Sequence, residues 1–383
     1  MLVEAVALRP GPGAMPGEAQ ALIEEARRRA RRRRHRGAAA VALLLTAAAV
    51  GYAVGGGGAS ADRPRAGDGR SPAPSLRPTV TARIALTSAL DLAAGFGAVW
   101  VAQDGSVARV DGAGARVVTT IRTPAVGDDA HIAVGQGSVW VTSGRDGGPV
   151  YRIDPHTDRV TATVTVGGSA IGITVGRGWV WVTRVSAGSE SGEVLRIDPH
   201  RNRVTGPSIT VGPGPAQLSF GSGATWVQNT SPTSVMRIDP GTGRVSTIVG
   251  TDNTTSGSFV VGAIAAGDGS LWTVRNDVLA RWNPATGTLI ATVRIARAEL
   301  VAVARREVWV LSAPSSSSPT LFFPIEHTAA LWEVDPRHNR VAGRPLALNG
   351  PLALTVSGAR VWVVDHSYRS GATTLLALTP ARP

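Results

Sequence analysis

Seven times along the chain an apolar triplet is centred on tryptophan, at Trp100, Trp140, Trp181, Trp226, Trp272, Trp309 and Trp362. Most copies read Val-Trp-Val, and successive tryptophans are 40, 41, 45, 46, 37 and 53 residues apart. Before each triplet comes a short run of alternating apolar residues, such as His131-Ile132-Ala133-Val134 or Gln217-Leu218-Ser219-Phe220, closed in five repeats by Gly-x-Gly. After it, a second alternating run ends in Arg152-Ile153-Asp154-Pro155, Arg196-Ile197-Asp198-Pro199, Arg237-Ile238-Asp239-Pro240 or a weaker copy, and a third follows, as in Arg159–Val164. Period-two alternation marks strands, Gly-x-Gly allows the positive φ of a tight hairpin, and Asp-Pro is turn chemistry. Four short strands in a repeat of 37 to 53 residues predict a propeller blade.

The fold class is therefore all-β, a seven-bladed β-propeller over residues 79–383. The last repeat ends without a fourth strand, whereas Thr79–Leu86 precedes the first repeat as a spare one. Pairing the two ends closes the ring and removes an exposed edge.

Ahead of the propeller the pattern changes. Residues 1–36 carry nine arginines against four glutamates. Then comes a hydrophobic run, Ala38–Val54, which as a helix reaches about 26 Å, the short end for a membrane span. Eight of those arginines stand directly on its amino side and predict a cytoplasmic N-terminus. The domain reading is a cytoplasmic tail (1–36), a single transmembrane signal anchor (37–54), a flexible Gly/Pro/Ser-rich linker (55–78) and an extracytoplasmic propeller (79–383). Cleavage near Ala61, after Ala59-Ser60-Ala61, is the alternative and makes the propeller a secreted domain.

Composition narrows the chemistry. The chain has no cysteine, which excludes disulfides, thiolate metal sites and a cysteine nucleophile. All 39 basic residues are arginine and the net charge is +12, but in the propeller many arginines recur at one repeat position. That is a scaffold pattern rather than a basic face, so nucleic acid is not the expected partner. The tryptophans, repeated in one strand of every blade, are expected as core between blades. The aspartates of Arg-Ile-Asp-Pro are expected as turn residues, and the Gly-x-Gly motifs lead into strands rather than the helix a phosphate loop needs.

Candidate function lies where the blades differ. Aligned on the glycine turn, one inner-strand position reads Asp91, His131, Gly172, Gln217, Ala263, Leu300, Ala353. Asp91, Asp129 and His131 are expected near the channel, a set suited to a cation or to proton transfer. The long loop of blade six contributes Phe322, Phe323, Glu326 and His327, and the last repeat contributes His366 and Tyr368. These ten residues, Gln217 included, are the candidate ligand- or partner-binding set on the loop face. No cofactor and no resident metal is expected.

The repeated G-x-G-x-V-W-V and R-I-D-P-x-T-x-R-V strings resemble YVTN-type propeller repeats, a group with surface-layer and YncE-like proteins to which virginiamycin B lyases are related. The resemblance covers residues 79–383 and implies the seven-bladed fold. It does not carry an activity residue by residue: the lyases' histidine and glutamate near magnesium have no counterpart here, since His131 has only aspartates beside it. A quinoprotein likeness lacks that group's docking tryptophan. The expected function is a membrane-anchored binding or protein-interaction module; the alternatives are a propeller lyase or hydrolase with its site near His131, and a sensor with an arginine-rich cytoplasmic stub.

Overall fold

The computed structural model describes residues 77–185, 191–230, 233–249, 261–275, 277–304, 307–312, 329–367 and 369–380. Over these the chain forms seven antiparallel sheets in ring order, a seven-bladed β-propeller. Blade one shows the plan: β2 (Asp91–Gly95) innermost, then β3 (Ala98–Gln103), β4 (Ser106–Asp111) and β5 (Val117–Arg122) outermost. Blade six departs from it, its third strand pairing with two short segments, Arg340–Val341 and Leu346–Leu348, in place of one outer strand. In blade seven the fourth strand is β1 (Thr79–Leu86), antiparallel to Thr373–Thr379 from Leu86↔Thr373 to Thr79↔Thr379.

The second strand of each blade is hydrogen-bonded on both edges and covered on both faces, so its tryptophan sits in a run of consecutive buried residues instead of an alternating one. Every tryptophan of the triplets is 0–1% exposed. Each packs into the next blade. Trp100 clusters with Val139, Val141 and Ile153; Trp140 with Val180, Val182 and Ile197; Trp309 with Val361, Val363 and Leu378. Trp362 of blade seven packs on Val99, Val101 and Val110 of blade one. Outer strands see the core on one side only, and Arg159–Val164 alternates exposed with covered positions.

The two glycines of each Gly-x-Gly serve different ends. The first has no room for a side chain: a Cβ on Gly95 would lie 2.3 Å from Val134 in the next blade. Its carbonyl also accepts the indole N–H of Trp100, at 3.2 Å, and the same bond recurs from Trp140, Trp181 and Trp226. The middle residue and the second glycine both have positive φ (Phe96 at 54°, Gly97 at 72°), the type I′ turn that suits the strand twist.

The recurrent arginine lies directly across the ladder from the tryptophan, in Trp100↔Arg109, Trp140↔Arg152, Trp181↔Arg196, Trp226↔Arg237 and Trp272↔Arg281. Arg152 covers the Trp140 ring at 5.3 Å and donates to Pro199 O (2.6 Å) and Asn202 Oδ1 (2.8 Å) in the blade-three turn. Arg109 reaches Asp158 of blade two at 3.0 Å, and Arg281 reaches Pro336 O and Asn339 of blade six. Asp158, Asn202 and Asn339 have φ of 56°, 51° and 50°, a conformation that Asp and Asn tolerate well. One residue thus turns the chain and receives the neighbouring blade's arginine. Blade seven has Ala377 opposite Trp362, and Arg360 from the second strand takes the arginine's place, donating to Gly112 O of blade one.

The Asp-Pro turns are as expected. Asp154 Oδ1 accepts the amides of His156 (2.8 Å) and Thr157 (3.2 Å), and Asp239 and Asp198 do the same in their blades. Backbone amides hold the Asp154 carboxyl below the usual carboxylate range. Among the described residues no helix is long and apolar enough to cross a membrane, and the segment 37–54 lies outside them.

Candidate functional site

Inner strands are edges: one side pairs within the blade, and the other turns its amides and carbonyls to the channel. Two side chains of the aligned column answer this. Asp91 Oδ2 accepts the amide of Ile132 in blade two at 3.1 Å, and Gln217 Oε1 accepts that of Ile264 in blade five at 3.1 Å. Ser219 repeats the contact one step along, taking the Ala266 amide at 3.0 Å. Thr142 and Thr183 work from the second strand, each joining its own inner strand to a carbonyl of the next, Ile171 O at 2.9 Å and Ala216 O at 3.2 Å.

Within this frame the column residues Asp91, His131, Gly172 and Gln217 line a cavity of about 150 Å³ together with Ile132, Ile173, Leu218 and Ile264. Its accessible surface is nearly all polar although four of the eight residues are Ile or Leu. The aliphatic side chains point into the blade interfaces, so what they lend the cavity is backbone. Gly172 is glycine because blade four comes close: a Cβ there would lie within 2.0 Å of Ala216 O.

His131 is set by Asp91. Its Nδ1 lies 3.0 Å from Asp91 Oδ2. A carboxylate only accepts, so the proton of this bond sits on Nδ1, and among the described residues Nε2 has no partner. The other Asp91 oxygen is engaged as well, Oδ1 accepting the Leu92 amide at 2.8 Å. Burial pulls the imidazole pKa down most strongly. The Asp91 hydrogen bond and charge, with the charge of Asp129, together outweigh it and leave the net shift upward. The side chain stays 32% exposed, so solvent reaches the ring through the channel.

The other candidates are not gathered here. Asp129 is exposed on the loop before the inner strand; it acts on His131 through charge and does not line the cavity. His366 ends the strand Arg360–His366, with Nδ1 3.1 Å from Thr373 Oγ1, and is absent from the cavity wall. Phe322, Phe323, Glu326, His327 and Tyr368 lie outside the described residues. Among the described residues no group of three His, Asp or Glu side chains is placed to hold a metal ion. Reading the sequence placed Gly172 in the column but not against a cavity, and missed that Asp91 and Gln217 each cap a strand edge in the following blade.

No family's sequence model matches the chain, and no curated protein matches it. Solved structures do. A chain from a crystal structure of the mitotic checkpoint complex is 14% identical, with 86% of this chain and 98% of that one covered and a TM-score of 0.61. A crystal structure of the computationally designed Ika8 protein is 12% identical, with 76% and 98% covered and a TM-score of 0.51. At such identities the likeness is one of fold, shared by a natural assembly and a designed chain, and it carries no activity.

Proposed function

We propose that the chain is a membrane-anchored, extracytoplasmic propeller of YVTN-like repeats, held shut by its N-terminal strand, that acts as a binding module. One observation supports it most: on a scaffold that otherwise repeats, the polar residues that differ between blades converge on one channel cavity, with the imidazole Nε2 of His131 directed away from its Asp91 partner. Propeller loop faces are common interaction surfaces, and the arginine block before residues 37–54 supplies the orientation.

The test is photo-crosslinking in living cells. A crosslinker at Asp129, beside the cavity, is expected to recover one defined partner, and a crosslinker at His156 in a turn at the far end of the strands is not. Equal recovery from both positions would sink the reading. Protease added to intact cells is expected to digest the propeller, and protection until the cytoplasm is opened would reverse the topology.

A second reading is an enzyme at the same place. The Asp91–His131 pair has the arrangement of an oriented general base, a carboxylate fixing one ring nitrogen while the other faces a cavity. In that case His131→Gln abolishes a turnover that the crosslinked partner or its product reveals, whereas a binding module loses only affinity.

A further inference from the structure

We infer that the channel cavity is a site for a small carboxylate, bound between His131 of blade two and Gln217 of blade four across the gap left by Gly172 of blade three. The inference rests on the binding reading above and gives it a ligand class. Its ground is the set of hydrogen-bonding atoms left over once the scaffold's own bonds are counted.

Both oxygens of Asp91 are engaged: Oδ1 on the Leu92 amide, Oδ2 on His131 and the Ile132 amide. Gln217 spends its Oε1 on the Ile264 amide, which leaves its side-chain NH₂ as a donor pair with no partner among the described residues. His131, holding Asp91 through Nδ1, offers Nε2, which is a donor whenever the ring is charged. The backbone adds to this. The amides of Ile132 and Ile264 face the channel side, where the preceding blade catches them. Ile173 and Leu218 stand at the same repeat position and line the same cavity. The residues that precede them round the ring are His131, which is turned back to Asp91, and Gly172, which has no side chain to accept with. Donors on both sides of a notch, with the nearest carboxylate tied to the scaffold through both oxygens, are complementary to an oxyanion.

Size sets the upper limit. A cavity of about 150 Å³ is of the order that admits benzene, so an acid of about six non-hydrogen atoms fits. The charged groups that face His131 are Asp91 from the inner strand of blade one and Asp129 from the loop preceding its own strand. The inner strands of blades three and four, Ser169–Gly176 and Pro215–Gly221, carry no titratable residue. Imidazole protonation is therefore the titration that governs carboxylate affinity in this cavity. Affinity is expected to be high while the ring is charged and to fall as pH rises through the histidine's pKa.

The experiment is calorimetric titration of the full-length protein in detergent with propionate and, separately, with uncharged propionamide, at about pH 5.5 and about pH 8.5 in carboxylate-free buffer. Propionate is expected to bind at least about tenfold tighter than propionamide at the lower pH and to lose about tenfold at the higher. Gln217→Glu keeps an acceptor for the Ile264 amide but replaces the donor pair with negative charge; it is expected to abolish propionate binding with the melting curve unchanged. His131→Gln is expected to remove the pH dependence. Propionamide binding as tightly as propionate, or binding that ignores pH in the wild type, overturns the carboxylate assignment while leaving the cavity a binding site. No heat from either ligand at tens of millimolar also overturns it, and the crosslinking experiment then decides the binding reading by itself.

Discussion

Removing Arg152 tests whether the blades are joined by their arginines as well as by their tryptophans. The guanidinium donates to Ser138 Oγ (2.8 Å), Pro199 O (2.6 Å) and Asn202 Oδ1 (2.8 Å), and lies 5.3 Å from the Trp140 ring centre. A buried hydrogen bond to a charged group contributes about 1.5–3 kcal/mol. Arg152 is only partly buried, so about 1 kcal/mol for each of the two bonds that cross to blade three is the fair figure. Stacking on the indole adds about 0.5–1 kcal/mol. Arg152→Ala is therefore expected to cost about 3 kcal/mol. Much of that is shared with Asn202, which Asn202→Gly removes without strain because φ there is 51°. The assay is a double-mutant cycle by urea denaturation of wild type, both single variants and the double variant. A coupling of about 1 kcal/mol is expected, and less than about 0.3 kcal/mol would show that the bond across the blades is ornamental.

Three further outcomes follow from the same structure. In blade two's bridge Asn202 Oδ1 accepts from Arg152 Nη1, and the residue in blade four equivalent to Asn202 is Gly243, at φ 74°, which offers Arg196 of blade three no side-chain acceptor. Gly243→Asn supplies an acceptor in a conformation that Asn tolerates and is expected to raise stability by about 0.5–1 kcal/mol, read as a higher urea midpoint with unchanged slope. Deleting 79–88 takes Ile84 from the blade-seven to blade-one core and exposes the edge of Thr373–Thr379; a polydisperse, non-cooperatively melting product is expected by light scattering and calorimetry, and a cooperative monomer would refute the clasp. The folded-state pKa of His131 is raised above its ordinary 6.5, so its pairing with Asp91 stabilises the fold fully below about pH 6.5 and that contribution is lost as pH rises through the folded value. Urea midpoints of wild type and His131→Gln should accordingly converge toward alkaline pH, and a gap that widened there would reverse the sign.

The architecture was legible because a propeller repeats one local problem seven times. A strand covered on both faces needs consecutive buried residues, and that need writes Val-Trp-Val in five of the seven repeats. The arginine bridges were half legible: the recurrence of Arg109, Arg152, Arg196, Arg237 and Arg281 was plain, but not their targets. Arg152 and Asn202 are 50 positions apart and belong to different repeats, so no local pattern links them. The site shows the same division. Aligning the repeats brought Asp91, His131, Gly172 and Gln217 into one column, and these four line the cavity. Asp129 sits two residues before His131, yet it lies on the loop and points its charge at the ring from outside the wall, a distinction made by backbone direction and not by spacing.

What that column means changes once its members' bonds are counted. Polarity at a channel-facing position suggested chemistry at Asp91, His131 and Gln217 alike. But an inner strand that ends at a channel leaves amides without partners, and a buried amide left unpaired costs about 1–3 kcal/mol, so a polar side chain in the preceding blade is explained by that need alone. Asp91 and Gln217 meet it, on Ile132 and Ile264. His131 does not: among the described residues its ring bonds only backward, to Asp91, and caps nothing in blade three. It is the polar member of the column for which strand capping gives no reason. A glycine stands next to it round the ring, where a Cβ would strike Ala216 O of blade four, so that position offers His131 no side-chain partner. A histidine that caps no neighbouring strand, held in one orientation by a carboxylate that does, is the position where substitution should change binding more than stability.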